Sequence, residues 1–168
     1  MSQYAIGLDF GTNSARCLVV RLDEGEAVAH AVFPYPSGED GILLDDREPE
    51  LARQHPKDYL EALRYLLTQG VQEARSRDED FHPERVVGIG VDATASTPMP
   101  LNASGVPLAL EDACSEDFSA MAWLWKDHTS HAEAEEITER ARRERPFYLG
   151  KCGGSYSSEW FWAKLLRC

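Results

Sequence analysis

The sequence predicts an α/β fold whose mixed sheet opens with a three-stranded antiparallel meander and carries helices on its faces. Three observations support this. Runs of β-forming residues at 5–9, 15–21 and 28–33 are separated by tight turns, and connections this short join antiparallel strands. Residues 57–77 carry apolar side chains at helical spacing. The apolar run 86–91 is typical of a strand buried on both faces.

Several local signals refine the helices. Gly70 lies inside the first helix and is expected to weaken it or to end its first part. Ser130 and Glu133 have the spacing of a capping box, which predicts the start of a second, polar helix. A glycine-rich loop at 150–154 precedes Ser157, the predicted N-cap of a last helix. That helix has no stop signal, so we expect an incomplete domain.

Composition excludes several classes of function. The chain has 168 residues and a net charge of -12, which argues against nucleic acid as a partner because phosphate backbones are held by Lys and Arg clusters. No apolar run approaches the roughly 20 residues that cross a bilayer, and the first residues lack the pattern of a signal peptide. The four cysteines form no Cys-x-x-Cys pair, which argues against zinc and disulfides. We therefore expect a cytoplasmic protein without a membrane partner.

The sharpest chemical signal is the run DFGTNSAR at 9–16, between the first two predicted strands. A tight turn of Gly, Thr, Asn and Ser directs backbone N–H groups into one concavity that holds an anion. Side-chain hydroxyls and an amide add further donors. Asp9 suits a Mg²⁺ ion that bridges phosphates, usually through water. The predicted phosphate contacts are Gly11, Thr12, Asn13, Ser14 and Arg16.

A simpler reading of this run remains open. It could be an ordinary hairpin turn in which Asp9 caps local N–H groups, with Arg16 on the strand surface. The run is not a Walker loop, which carries Gly-Lys-Ser or Gly-Lys-Thr before a helix. It is also not a dinucleotide fingerprint, because the next predicted element is a strand.

Four segments of the chain, in order, resemble one protein family. The run at 9–14 resembles the first phosphate loop of the actin/hexokinase-like (ribonuclease H-like) superfamily and, within it, of the FGGY carbohydrate kinases. Three later segments resemble the branch of that family that phosphorylates L-ribulose. They are GIGVDATASTP at 88–98, WKDH at 125–128 and YSSEWFWAK at 156–164. The resemblance covers nearly the whole chain.

The resemblance implies that residues 1–168 form the N-terminal part of the sugar-binding domain, without the rest of that domain or the ATP-binding domain. The full-length protein would use ATP and Mg²⁺ to convert L-ribulose to L-ribulose 5-phosphate in arabinose catabolism. The isolated chain would be inactive, since the family's catalytic base lies further along. A kinase for another pentulose or pentitol, or a non-catalytic sugar-binding or interaction module, remains an alternative. Homo-oligomerisation is left open.

The resemblance also implies residue roles. Asp9 would help to hold Mg²⁺, and the sugar pocket would be lined by Thr94, Ala95, Ser96, Trp125, Lys126 and Asp127. Simple packing is the alternative for each. Asp92, at the end of its strand, could cap the following turn or touch a ligand. His128 and His131 could share a metal, but a solvated helix start is favoured because only Asp127 offers a third ligand.

Overall fold

A computed structural model describes residues 2–168, and these divide into two compact units. Of the described residues, the first unit contains 2–41 and Lys57–Thr94, and the second contains Ile42–Pro56 and Ala95–Cys168. The strands and α-helices, in chain order, are β1 Tyr4–Phe10, β2 Ser14–Arg21, β3 Glu26–Pro34, β4 Arg53–Gln54, α1 Pro56–Arg77, β5 Val86–Ala93, β6 Ala122–Trp123, α2 His131–Glu144, α3 Pro146–Lys151 and α4 Phe161–Arg167.

The first unit is built on a four-stranded mixed sheet with the order β3-β2-β1-β5. β1, β2 and β3 form the predicted antiparallel meander, and β5 pairs with β1 in parallel after the α1 crossover. A short 3-10 helix, Pro83–Arg85, leads into β5. The predicted α/β class, with a mixed sheet that opens as a meander, is therefore confirmed.

One face of the meander packs against α1. Alternate residues of β1 and β2 point into this core, as the two-residue period of a strand requires, and Leu66 of α1 is fully buried there. Gly70 does not end the helix, contrary to the expectation from sequence. It lies where α1 approaches β2, and a Cβ on Gly70 would stand 2.9 Å from Cys17 Sγ. The glycine is therefore explained by close packing.

The prediction that β5 is buried on both faces is wrong. Val87, Ile89 and Val91 are 57%, 55% and 66% exposed. β5 is an edge strand, and of its residues only Val86 packs against the core formed by the meander and α1. An apolar run predicts a strand, but whether that strand is buried depends on which elements pack against it, and this cannot be read from the run itself.

The second unit combines the short β4–β6 antiparallel pair with helices. Three 3-10 helices, Leu108–Leu110, Asp112–Cys114 and Phe118–Ala120, precede β6. The sequence did not predict α3, and α4 begins at Phe161 instead of near Ser157. The Ser157 hydroxyl accepts from the Glu159 N–H at 3.2 Å and closes a turn before the helix.

The predicted capping box at the start of α2 is not formed. Ser130 is the N-cap residue, but its side chain makes no cap hydrogen bond. Its hydroxyl donates instead to the carbonyl of Ser158 at 2.9 Å. A tertiary contact has therefore replaced the local one. Among residues 2–168, no helix has the length and apolar character needed to cross a membrane.

Candidate functional site

The Asp9–Arg16 run forms the tight turn between β1 and β2 in the first unit. The strands pair as far as Phe10 and Ala15, and the Gly11 N–H then donates to the Ser14 carbonyl at 3.0 Å. A Cβ on Gly11 would lie 3.0 Å from the same oxygen. Glycine is favoured here because a Cβ would be closer to the backbone on the opposite side of the turn than in an ordinary van der Waals contact.

Asn13 fixes this turn to the segment that follows β3. Its side-chain amide donates to the carbonyl of Asp40 at 2.8 Å, and its own carbonyl accepts from the Tyr35 N–H at 3.0 Å. The amide that the sequence assigned to an anion is therefore committed to the protein in this conformation. Thr12 and Ser14 lie at the surface of the turn, each partly exposed.

A charged cluster lies on the open face of the sheet beside this turn. Asp9 and Arg16 are cross-strand partners, and the Asp9 carboxylate lies 3.1 Å from the Arg16 guanidinium. Asp92 is the partner of Asp9 on β5, and paired residues point to the same face, so the two carboxylates are neighbours. Gly7 and Gly90 form a floor without side chains in the groove that these residues line.

These residues fit a phosphate-bound Mg²⁺. Mg²⁺ is usually held through one or two carboxylates together with phosphate oxygens and waters. Asp9 is 43% exposed on its side chain, so water and ligand can reach it. In the part of the chain that the structure describes, no group of three or more His, Cys, Asp or Glu side chains could hold a metal alone. Two carboxylates leave the other coordination positions to water and phosphate oxygens, so this donor set suits an ion that arrives with phosphates.

Asp92 was left open between a cap and a ligand contact, and its geometry allows both. One carboxylate oxygen accepts from the Ala93 N–H at 3.0 Å. The side chain remains exposed in the groove beside Asp9. Thr94 follows directly, and its N–H donates to the Phe10 carbonyl at 3.2 Å, which extends the β1–β5 pairing by one bond.

The remaining sugar-pocket candidates lie in the second unit. Ser96 has a φ of 52°, a left-handed conformation that is uncommon for a residue other than glycine. Trp125 exposes 42% of its surface, and Lys126 is half-buried. Ala95 is exposed, and its carbonyl accepts from the Thr97 hydroxyl at 3.3 Å. Strained backbone beside an exposed aromatic ring is typical of a ligand-binding loop.

Asp127 takes a different place from the one expected. Its side chain is fully buried and forms an ion pair with the guanidinium of Arg53. Its oxygens also accept from the Ala52 N–H at 2.7 Å and from the Thr129 hydroxyl at 2.6 Å. No carboxylate surface of Asp127 is exposed to a ligand in this conformation, and its role as a sugar contact stays a prediction.

Arg53 was not predicted as part of this region. Its guanidinium stacks over the ring of Trp123, with 3.6 Å between the guanidinium carbon and the ring centroid. Burial, partly offset by the charge of Glu48, lowers the pKa of Arg53 to about 10. No pattern in the sequence predicts this burial, since an isolated Arg is usually a surface residue.

Lys164 of α4 is the second residue that sequence reasoning missed. It is fully buried, and its ammonium donates to the carbonyls of Leu124 at 2.6 Å, Ser96 at 2.8 Å and Trp125 at 3.2 Å. Burial, with a smaller contribution from the charge of Arg53, lowers the pKa of Lys164 to about 8. Lys164 ends the run YSSEWFWAK at 156–164, one of the segments that carry the family resemblance, but the sequence analysis assigned it no role.

The two histidines do not form a metal site with Asp127. His128 contacts the Ser158 hydroxyl at 2.9 Å, and His131 lies 3.0 Å from the Glu50 carboxylate. Both rings are exposed, which agrees with the solvated helix start that the sequence favoured.

The chain resembles curated proteins over almost its whole length. It is 42% identical over 163 residues to a ribulokinase of Vibrio parahaemolyticus serotype O3:K6, covering 96% of this chain and 28% of the relative. It is 38% identical over 169 residues to a ribulokinase of Shouchella clausii, covering 98% and 29%. The chain therefore spans less than a third of the length of these relatives. No family model matches it.

Solved structures agree on the fold. A crystal structure of a xyloylose kinase from Brucella ovis superposes with a TM-score of 0.66 at 19% sequence identity, covering 98% of this chain and 28% of that chain. A likeness at this identity shows the fold alone. In sequence, the chain is similar to ribulokinases over nearly its whole length, in line with the predicted resemblance to the FGGY carbohydrate kinases.

The predicted site residues fall into two separate groups. Asp9, the turn at 11–14, Arg16 and Thr94 belong to the first unit. Ala95, Ser96 and the Trp125–Asp127 segment belong to the second. Within the second group, the Lys164 ammonium donates to the carbonyls of both Ser96 and Trp125, and the buried Asp127 pairs with Arg53.

Proposed function

We propose that this chain is part of an ATP-dependent kinase that phosphorylates L-ribulose to L-ribulose 5-phosphate, a step of arabinose catabolism. The observation that carries the proposal is the Asp9–Arg16 turn, with Asp92 beside Asp9 on the open face of the sheet. The choice of L-ribulose rests on the names of the relatives, which are ribulokinases.

The phosphate side of the reaction would be carried by the first unit. Phosphoryl transfer is mainly a matter of positioning and charge stabilisation, so short turns with backbone N–H donors and a metal-binding carboxylate suit it. Gly11, Thr12 and Ser14 would contact the transferred phosphate, and Arg16 would offset its charge. Asn13 would act through its side-chain bond to Asp40, which holds the turn in shape.

Asp9 would hold Mg²⁺ through water, with Asp92 as a second carboxylate. When bound, Mg²⁺ would neutralise charge on the phosphates. Arg16 already pairs with Asp9 at 3.1 Å, so the carboxylate is kept near a cation until the metal arrives. Both partners are exposed, and an ion pair of this kind contributes little to stability, so it can be exchanged for metal at little cost.

The sugar side would be carried by the second unit. Ala95 and Ser96 have small side chains that would let a sugar approach closely, and Trp125 offers an aromatic face to the C–H surface of a sugar. Lys126 would supply a polar contact, while the sugar contact predicted for Thr94, which lies in the first unit, stays a prediction. Asp127 would hold the Trp125 segment in place through Arg53, without touching the sugar.

We also propose that the chain is the N-terminal part of a sugar-binding domain and that the complete enzyme is cytoplasmic. Small-molecule sugar and ATP would be its partners, with neither nucleic acid nor membrane involved. We assign no residue of this chain as the base that takes the proton from the sugar hydroxyl. The isolated chain should therefore not phosphorylate L-ribulose.

A chimeric protein tests the function. In it, this chain replaces the segment of the Vibrio parahaemolyticus relative that it matches over 163 residues. We expect ATP-dependent phosphorylation with a clear preference for L-ribulose in kcat/KM over D-xylulose, other pentuloses, pentitols and glycerol. The unmodified relative is the positive control, and the isolated 168-residue chain is the negative control.

Two results would contradict the proposal. A folded chimera that phosphorylates none of these compounds would favour a non-catalytic sugar-binding module. A preference for D-xylulose or glycerol would leave a sugar kinase but remove the assignment to L-ribulose. Circular dichroism and size-exclusion chromatography would show whether the chimera is folded.

A further inference from the structure

Lys164 is a buried cation with a complete set of partners. A lysine ammonium has three N–H donors and no acceptor. In this structure the three donors face three backbone carbonyls, those of Leu124, Ser96 and Trp125, at 2.6, 2.8 and 3.2 Å. A buried charge is tolerated when its hydrogen bonds are satisfied, and here the number of acceptors matches the number of donors.

Two of these carbonyls come from consecutive residues, and the third comes from a strained one. Leu124 and Trp125 are adjacent, so their two carbonyls fix the backbone that carries the exposed Trp125 ring. Ser96 has a φ of 52°, which costs energy in a residue with a Cβ and persists only where the surroundings enforce it. The bond from Lys164 to the Ser96 carbonyl supplies such a constraint.

We propose that Lys164 is a positioning residue for the sugar pocket, which clamps the Ser96 loop and the Trp125 segment into one geometry. The proposal rests on the sugar-binding role proposed above for these two segments. Lys164 itself does not contact the sugar in this view. All three N–H donors of its ammonium are bonded to carbonyls. Lys164 contributes by holding the backbone of the residues that would bind the sugar.

The charged form of Lys164 is the one that fits the cage. A neutral amine has only two N–H donors and one lone pair, so it would leave one carbonyl unpaired and face it with another electron pair. The charged groups that influence Lys164 are Arg53 on β4, which lowers its pKa, and Glu159 in the turn before α4, which raises it. Loss of the proton at high pH relieves the cost of burying the charge, so the unit gains stability, but it also removes one of the three hydrogen bonds and should therefore loosen the clamp locally.

Steady-state kinetics of the chimera test this role. We expect Lys164→Met to raise KM for L-ribulose at least tenfold, with KM for ATP changed less than twofold. Lys164→Arg should not restore the parent value, since a planar guanidinium does not fit a cage built around a compact ammonium. Lys151→Met is the matched control, because Lys151 is exposed on α3 and lies over the Phe147 ring.

The pH profile separates positioning from simple destabilisation. In the parent chimera, KM for L-ribulose should rise as pH increases through about 8, where Lys164 loses its proton. In Lys164→Met this inflection should be absent, while Lys151→Met keeps it. A folded Lys164→Met variant with the parent's KM and the parent's inflection would overturn the proposal.

Two measurements on the 168-residue chain test the clamp without any activity. NMR of ¹⁵N-labelled lysine should show slowly exchanging Nζ protons for Lys164, and hydrogen–deuterium exchange should become faster at 94–99 and 122–127 in Lys164→Met but not in α1. The NMR signal needs no variant, so it decides the matter even if Lys164→Met does not fold. Rapidly exchanging Nζ protons in the parent chain would exclude the clamp.

The outcomes distinguish this inference from the proposed function. An active chimera whose KM is insensitive to Lys164 would remove the positioning role and keep the kinase. A folded but inactive chimera, combined with a protected Lys164 ammonium, would contradict the proposed kinase function. Lys164 would then have a structural role only, and the proposed positioning role in a sugar pocket would be wrong as well.

Discussion

Arg53 and Asp127 form an ion pair that is almost completely removed from solvent, with side chains 3% and 0% exposed. The guanidinium also covers the Trp123 ring, and Thr129 donates to the carboxylate. These contacts place the charge pair at the centre of the second unit. Such a pair stabilises a fold only while both partners are present, because either charge alone would be buried without compensation.

Asp127→Asn should therefore lower the free energy of unfolding of the second unit by about 3 to 5 kcal/mol. Urea unfolding followed by tryptophan fluorescence measures this directly, because all four tryptophans lie at 123, 125, 160 and 162 in the second unit. Asp45→Asn is the control. Its partner Arg47 is exposed, so the change should be small. Equal effects of the two substitutions would show that the buried pair is not a structural centre.

Gly70→Ala should destabilise the first unit, although alanine is favoured over glycine in a helix by about 1 kcal/mol. The new Cβ would stand 2.9 Å from Cys17 Sγ, and overpacking of this kind costs about 1 to 3 kcal/mol. Thermal unfolding followed by circular dichroism would show the loss. Combining Gly70→Ala with Cys17→Ala should recover most of it, because the smaller side chain makes room.

Thr68→Ala, at an exposed position of α1, is the control for helix propensity and should not destabilise the chain through packing. If Gly70→Ala proved more stable than the parent, close approach of α1 to β2 would not be the reason for the glycine.

Acid should weaken the first unit through Asp78. The Arg21 guanidinium, the Tyr4 hydroxyl and the Asp80 N–H all donate to this buried carboxylate, and the pKa of Asp78 is lowered chiefly by Arg21. A lowered folded pKa means that the stabilisation is present above the unfolded value of about 4 and is lost as pH falls through the folded value.

The difference in unfolding free energy between the parent and Asp78→Asn should therefore be largest near neutral pH and shrink below about pH 4. Urea titrations from pH 7 to pH 3 would measure it. Asp80→Asn should show no such trend, since only the backbone N–H of Asp80 takes part. A constant difference across this range would contradict the assigned role of Asp78.

Alkaline pH should have the opposite effect through Lys164. Because burial lowers its pKa to about 8, the folded chain binds fewer protons than the unfolded chain between this value and the ordinary lysine value of about 10.4. Stability rises with pH wherever the unfolded state binds more protons. The free energy of unfolding of the parent should therefore rise relative to that of Lys164→Met across this window. Parallel curves for the two proteins would indicate an unperturbed lysine.

Local patterns predicted most of the fold. The β1–β3 meander and α1 lie within about two residues of their predicted bounds, because a two-residue or 3.6-residue period is set by neighbours along the chain. Features that depend on distant contacts were missed. Gly70 is explained by Cys17, and the exposure of β5 depends on what lies beside it.

The candidate site divides in the same way. The turn after Asp9 could be located because its small residues and hydroxyls are adjacent in sequence. Arg53 and Lys164 could not, since a charged side chain is ordinarily exposed and only the fold brings their partners to them. The role predicted for Asp127 rests on the family resemblance, which does not indicate that its carboxylate pairs with Arg53 in the interior.

The claim that the Asp9 turn holds a Mg²⁺-bound phosphate is tested most directly by the Mg²⁺ dependence of Asp9→Asn in the chimera. We expect kcat to fall at least about 100-fold and the Mg²⁺ concentration for half-maximal activity to rise, with KM for L-ribulose nearly unchanged, since only charge stabilisation in the transition state is lost. Asp23→Asn, at an exposed turn residue, should match the parent. An Asp9→Asn variant with the parent's kcat and Mg²⁺ dependence would contradict the claim.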